Sequence, residues 1–96
     1  MTDLYSIRVT LLPNVIFQQV HEEAVLLDMT SEQYFALNEL GMRTWQLLSE
    51  GMDFSKIIQQ LLEDYEVDEV SLCKDISNWI HELAGLGLVQ VTSDAP

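Results

Sequence analysis

The chain is short of several things, and each shortage closes off a class of function. It has one cysteine, Cys73, in 96 residues. An internal disulfide and a multi-cysteine zinc site are therefore excluded. It has four Lys and Arg against 16 Asp and Glu, for a net charge of −12. Proteins hold nucleic acid largely with cations that neutralise phosphates, so nucleic acid is not expected as a partner. An anionic membrane surface is disfavoured for the same reason. No apolar run reaches the roughly 18–20 residues that span a bilayer. The start, Met1-Thr2-Asp3-Leu4-Tyr5, lacks the basic segment of a secretory signal, so a cytoplasmic location is expected. The two histidines, His21 and His81, lack the spacing of a helical zinc pair. The acidic stretch Glu63–Glu69 contains no glycine-centred calcium loop and reads as a solvated turn. No metal or other cofactor is expected.

What is present is enough apolar material for a core, 48% of the residues. The length fits one domain over residues 1–96, with its core in about 15–91. Residues 4–12 are β-prone until Pro13-Asn14 breaks the run. Residues 15–20 and 24–29 follow as strands joined through His21-Glu22-Glu23. Thr30-Ser31-Glu32 makes the next turn, and Gln33–Leu37 the next strand of an antiparallel meander. From Asn38 the apolar period becomes helical. One helix runs from about Glu39 to Glu50 and stops at Gly51. Asp53 caps a second helix with Phe54, Ile57, Ile58, Leu61 and Leu62, and Asp68 caps a third that Gly85 and Gly87 stop. Leu88-Val89-Gln90-Val91 is a short strand or an extended tail. The expected fold class is α+β and winged-helix-like, a small antiparallel three-stranded sheet followed by three helices. That architecture often binds DNA, but here the third helix carries Glu69, Asp75 and Glu82 against the single Lys74.

Three candidate sites emerge. Cys73 with His21 or His81 could form a nucleophile and base, but no third group orients them, and a small thiol on an apolar helix face is ordinary packing. The chain is read as not an enzyme. On the third helix, a wheel groups Glu69, Ile76, Ile80 and Leu83, while Leu72, Trp79 and Leu86 run along one flank edged by Asp75 and Glu82. That flank suits a groove for an apolar, partly basic peptide, and it equally suits packing on another helix. The strand Gln33–Leu37 is an edge if the sheet follows the meander. It contains no Pro or Lys to block an added strand, unless residues 4–12 cover it.

The joint Tyr34-Phe35-Ala36-Leu37-Asn38-x-x-Gly41, the helix pattern Asp75-Ile76-x-x-Trp79-Ile80-x-x-Leu83 and the closing Gly85-Leu86-Gly87-Leu88-Val89 resemble the pyrroloquinoline quinone biosynthesis protein D family. The resemblance covers about residues 15–91. It implies a non-catalytic protein that binds the leader segment of a ribosomally made precursor peptide and delivers it to a modifying enzyme. It also implies where the leader lies. It adds as a strand to Gln33, Tyr34, Phe35, Ala36 and Leu37, and rests on the third helix at Leu72, Asp75, Ile76, Trp79, Glu82 and Leu83. Within the family the chain looks most like the B1 component of lasso-peptide biosynthesis, where a separate cysteine protease removes the leader. The alternatives are the quinone-cofactor version of the domain, a winged-helix transcription regulator and a small enzyme using Cys73.

Overall fold

The computed structural model describes residues 7–93. Strands β2 (Val15–Val20), β3 (Glu23–Asp28) and β4 (Gln33–Leu37) form a three-stranded antiparallel sheet in the order β2-β3-β4. Alternation sets its faces. Ala24, Leu26 and Asp28 of β3 point inward and are buried, while Val25 and Leu27 point outward and are half-covered. The β2–β3 turn is the two residues His21 and Glu22, because Val20 pairs with Glu23. Such tight hairpins need a positive φ at the first turn residue, and His21 supplies it at +58° without a glycine.

The three helices are α1 (Glu39–Ser49), α2 (Phe54–Asp64) and α3 (Glu69–Gly85). Each begins in the same way. Asn38, Asp53 and Asp68 accept the backbone N–H of Gly41, Lys56 and Ser71 at 2.7, 3.0 and 2.9 Å. Left-handed glycines follow α1 and α3, Gly51 at φ +83° and Gly87 at φ +77°. Gly85 is the last residue of α3 rather than a stop beyond it.

The core has two clusters. In one, Ile57, Ile58 and Leu61 of α2 meet Leu72, Ile76 and Ile80 of α3, with Leu47 of α1. In the other, Leu26 of the sheet meets Trp45 of α1, Leu83 of α3, Leu88 and Val89. Each fully buried aliphatic side chain contributes about 1.5–3 kcal/mol. Arg43 and Asp64 add an exposed ion pair at 3.5 Å between α1 and α2, which at the surface contributes about 1 kcal/mol or less.

One arrangement differs from expectation. The sheet and helices are joined by a separate two-stranded ribbon, β1 (Ile7–Leu11) antiparallel to β5 (Val89–Ser93). The described part of the N-terminal strand therefore lies on β5 and does not cover β4. Residues 4–6 of that expected strand lie outside the described residues. Ile7 and Val9 reach the core from β1, and Val91 from β5, so burial fixes the ribbon's register.

Asp28 carries the turn that launches β4. It is 6% exposed, and its carboxylate accepts bonds from Ser31 Oγ, Thr30 N–H and Asn14 Nδ2 at 2.9, 3.0 and 3.0 Å. The Ser31 and Thr30 bonds hold its pKa below the ordinary aspartate value, against the opposing effect of burial. The folded state thus favours the ionised form. This contribution is fully present above the ordinary aspartate value and is lost as pH falls through the lower folded value. Asp28→Asn should lower the urea midpoint at neutral pH, and the gap from the parent should narrow as the solution is acidified into that window. A gap that stays constant would show that the carboxylate charge is not its source.

Candidate functional site

Backbone bookkeeping decides which edge of the sheet is open. The N–H of Met29 donates to the Asn14 carbonyl at 2.8 Å, continuing the β2–β3 register by one step. Alternate residues of a central strand bond to alternate sides. Odd-numbered residues of β3 therefore bond to β2, and Ala24, Leu26 and Asp28 bond to β4, opposite Leu37, Phe35 and Gln33. Those three residues of β4 use their N–H and C=O groups within the sheet. Tyr34 and Ala36 turn theirs away, onto an edge that no strand of the described residues occupies. The side chains divide the same way. Phe35 and Leu37 point inward, half-buried against the second core cluster, while Tyr34, 65% exposed, and Ala36 lie on the outer face.

Helix α3 meets the inner side of this strand through a shared apolar cluster. Its Trp79 and Leu83 share the cluster that Phe35 and Leu37 pack against. Trp79 is half-buried and lies over the first turn of α1. A Cβ at Gly41 would stand 3.5 Å from Trp79 Cζ2, 3.5 Å from Leu37 Cδ2 and 3.2 Å from Asn38 Oδ1. A side chain there would thus touch the indole and Leu37 at ordinary contact distance and crowd only the cap oxygen of Asn38. Asp75 and Glu82 are exposed on α3. Leu72, Ile76 and Leu83, at 3, 2 and 5% exposed, belong to the core and present almost no surface. The flank read from the helical wheel is therefore uneven: Leu72 is core, Trp79 half-covered, and Leu86 46% exposed, while Glu69 lies in solvent. At the end of β4 a cleft of about 400 Å³ opens between Leu37, Met42 and Glu39 on one side and Gln19 and Glu22 on the other.

The other candidate chemistry is dispersed. Cys73 is half-buried on α3 against the first core cluster, His81 is exposed with Nδ1 donating to the Ser77 carbonyl at 2.7 Å, and His21 sits at the hairpin tip. Among the described residues no group of three or more His, Cys, Asp and Glu converges as a metal site. No described helix is long and apolar enough to cross a membrane. Tyr65, at the end of α2, has its phenol raised above the ordinary value by burial and by the Glu39 carboxylate, a tie between α2 and the start of α1.

Residues 23–89 match the family model of coenzyme PQQ synthesis protein D, PqqD. The chain belongs to the PqqD family. The PqqD match begins at β3 and includes the open strand, Gly41 and all of α3, and it leaves β1 and β2 outside. Two solved structures are similar over nearly their whole length. One is TbiB1 in complex with the TbiA(beta) leader peptide, 28% identical with a TM-score of 0.79, covering 84% of this chain and 94% of that one. The other is a lasso peptide synthetase B1 complexed with the leader peptide, 28% identical with a TM-score of 0.80, covering 86% and 98%. No curated protein matches the chain. The family expected from the Y-F-x-L-N-x-x-G joint is thus the one found, and B1 proteins are among the similar structures.

Proposed function

We propose that this protein is a non-catalytic recognition element that binds the leader segment of a ribosomally made precursor peptide. The leader pairs as an added strand with β4, and the complex is delivered to a modifying enzyme, in the lasso-peptide case a cysteine protease that removes the leader. The observation that carries this reading is the edge of β4 that no strand of the described residues occupies, where the backbone groups of Tyr34 and Ala36 face outward. An added strand gains main-chain hydrogen bonds there, and its alternate side chains fall toward Phe35, Leu37 and Trp79. Gln33, Asp75 and Glu82 form the polar margin, and Leu72, Ile76 and Leu83 shape the site from behind. Asp75 and Glu82, within a net charge of −12, draw in a leader that carries basic residues. In this reading the chain is one winged-helix-like domain that works in the cytoplasm, with its sheet edge given to a peptide instead of DNA. The similarity to two B1 proteins solved with leader peptides supports the lasso-peptide version over the quinone-cofactor version.

The experiment is direct. A synthetic leader from a precursor gene adjacent to this one should bind the purified protein in calorimetry and be recovered with unchanged mass. Cys73→Ser should bind the same leader equally well and still support processing by the neighbouring protease. A folded Cys73→Ser protein that binds leader but no longer supports processing would return the thiol to the chemistry.

A further inference from the structure

The sheet has a second edge, on β2, that no strand of the described residues occupies; the leader-binding reading does not use it, and it lies outside the residues matched by the family model. The same alternation that turns Tyr34 and Ala36 outward on β4 fixes the free groups here. Ile16, Gln18 and Val20 bond to β3 opposite Leu27, Val25 and Glu23, so Phe17 and Gln19 face their N–H and C=O groups away from the sheet. The N–H of Val15 is used internally, donating to the Leu12 carbonyl at 3.2 Å. The open segment is therefore Ile16–Val20. Native edges are usually guarded by Lys, Pro, a bulge or a short length. This segment has no Lys or Pro and no charge, in a chain that carries 16 acidic residues. Its outer face shows Ile16 at 46% and Val20 at 55% exposed.

The segment is complementary to itself. Two copies placed antiparallel about a two-fold axis at Gln18 bring Phe17 opposite Gln19 of the other copy, where both have free backbone groups to exchange. Ile16 then faces Val20 of the other copy in the closely spaced, non-hydrogen-bonded position, on the same outer face, and Gln18 faces Gln18. The electrostatics point to the same occupant. Two chains of −12 repel, so a contact between copies must form where charge is absent, and Ile16–Val20 has none. A strongly basic partner would find no carboxylate on this strand.

We propose that β2 is a self-association edge, pairing two copies through Ile16–Val20 into a continuous six-stranded sheet that leaves both β4 edges free for peptide. A single strand pair buries less than the roughly 1,200 Å² of a stable interface, so the dimer is weak and forms at high protein concentration. Because repulsion between like-charged copies is screened by ions, it tightens as salt is raised. Binding of a basic leader has the opposite salt dependence.

Sedimentation equilibrium over a concentration series should give a monomer–dimer curve that shifts toward dimer with salt. Gln19→Pro removes an outward N–H that the fold does not use, and it should weaken dimerisation roughly tenfold or more, since two symmetric hydrogen bonds are lost. Val20→Lys, a second variant that needs no backbone change, should weaken it as well. In a Cys73→Ser background, Gln18→Cys should form a disulfide dimer on oxidation, because non-bonded pairs stand about 4.5 Å apart at Cα, within disulfide reach. Ile16→Cys should not crosslink to itself but should crosslink when mixed with Val20→Cys. A chain that stays monomeric throughout the series overturns the proposal. So does a dimer unaffected by both Gln19→Pro and Val20→Lys, or crosslinking of Ile16→Cys to itself in preference to Gln18→Cys.

Discussion

Ala36→Pro is expected to leave the domain folded and to remove most of its affinity for a leader peptide. The Ala36 N–H points outward and closes no bond within the sheet, so the fold loses no hydrogen bond. Proline is tolerated on an edge strand in this orientation. The bound state loses a main-chain hydrogen bond, worth about 0.5–1.5 kcal/mol net, and the ring stands where the added strand must approach. Together these should weaken leader binding by about tenfold or more. Phe35→Pro is the instructive partner. Its N–H faces Leu26 of β3, so the same change one residue earlier should damage the sheet itself. Circular dichroism melts followed by leader titration separate the two. A folded Ala36→Pro protein with unchanged affinity would place the peptide elsewhere.

The second large effect is expected at Trp79, and it divides between stability and binding. Part of the indole is already engaged, packed over Gly41 and touching both core clusters. Complete removal of a buried aromatic costs about 3–5 kcal/mol. For a half-covered ring we expect about 2 kcal/mol of destabilisation, short of unfolding a domain with the usual 5–15 kcal/mol. The remaining exposed part is the large aromatic nearest the β4 edge on α3. If a bound leader desolvates it, Trp79→Ala should cost about 2 kcal/mol of affinity or more, mainly through faster dissociation. Asp75→Asn should cost about 1 kcal/mol or less, and less still at high salt. Urea melts monitored by circular dichroism give the first number and leader titration the second. A folded Trp79→Ala protein that binds leader like the parent would make the indole a packing residue only.

Much of this architecture is legible in the sequence because its signals are local. Asn38, Asp53 and Asp68 each stand three residues before the N–H they cap, and each marks a helix start. The strand Gln33–Leu37 and its turn into α1 are equally plain. Non-local facts leave no such mark. Nothing within residues 7–11 indicates that they pair with residues 89–93, because that pairing is decided by the burial of Ile7, Val9 and Val91 against helices in between. The outward turn of the Ala36 backbone is invisible in Gln-Tyr-Phe-Ala-Leu, which shows no clean alternation of polar and apolar residues. It follows from a register set at the far side of the sheet, where Asp28 and Met29 of the central strand meet Val15 and Asn14. The wheel leaves Leu72 open between groove and packing, and its burial decides for packing. Residues 72 and 79 share one stripe of α3, which Leu86 continues just past its end, but the neighbours change along it. Leu72 joins the cluster built with α2, and Trp79 bridges to the cluster under the sheet. Asp28 was missed as well, although an Asp leading into Thr30-Ser31 is a recognisable turn signature.

The ribbon has a consequence for how the domain can be rewired. Ile7 pairs with Ser93, so the two ends of the described chain stand side by side on neighbouring antiparallel strands. A short glycine-rich linker from Ser93 back to Ile7 would form a hairpin and stretch nothing. A circular permutant built this way, opened at the exposed Gly51 between α1 and α2, should keep the β4 edge and the α3 flank intact. The same adjacency suits the domain to insertion in a surface loop of another protein, entering and leaving through one doorway with the β4 side undisturbed.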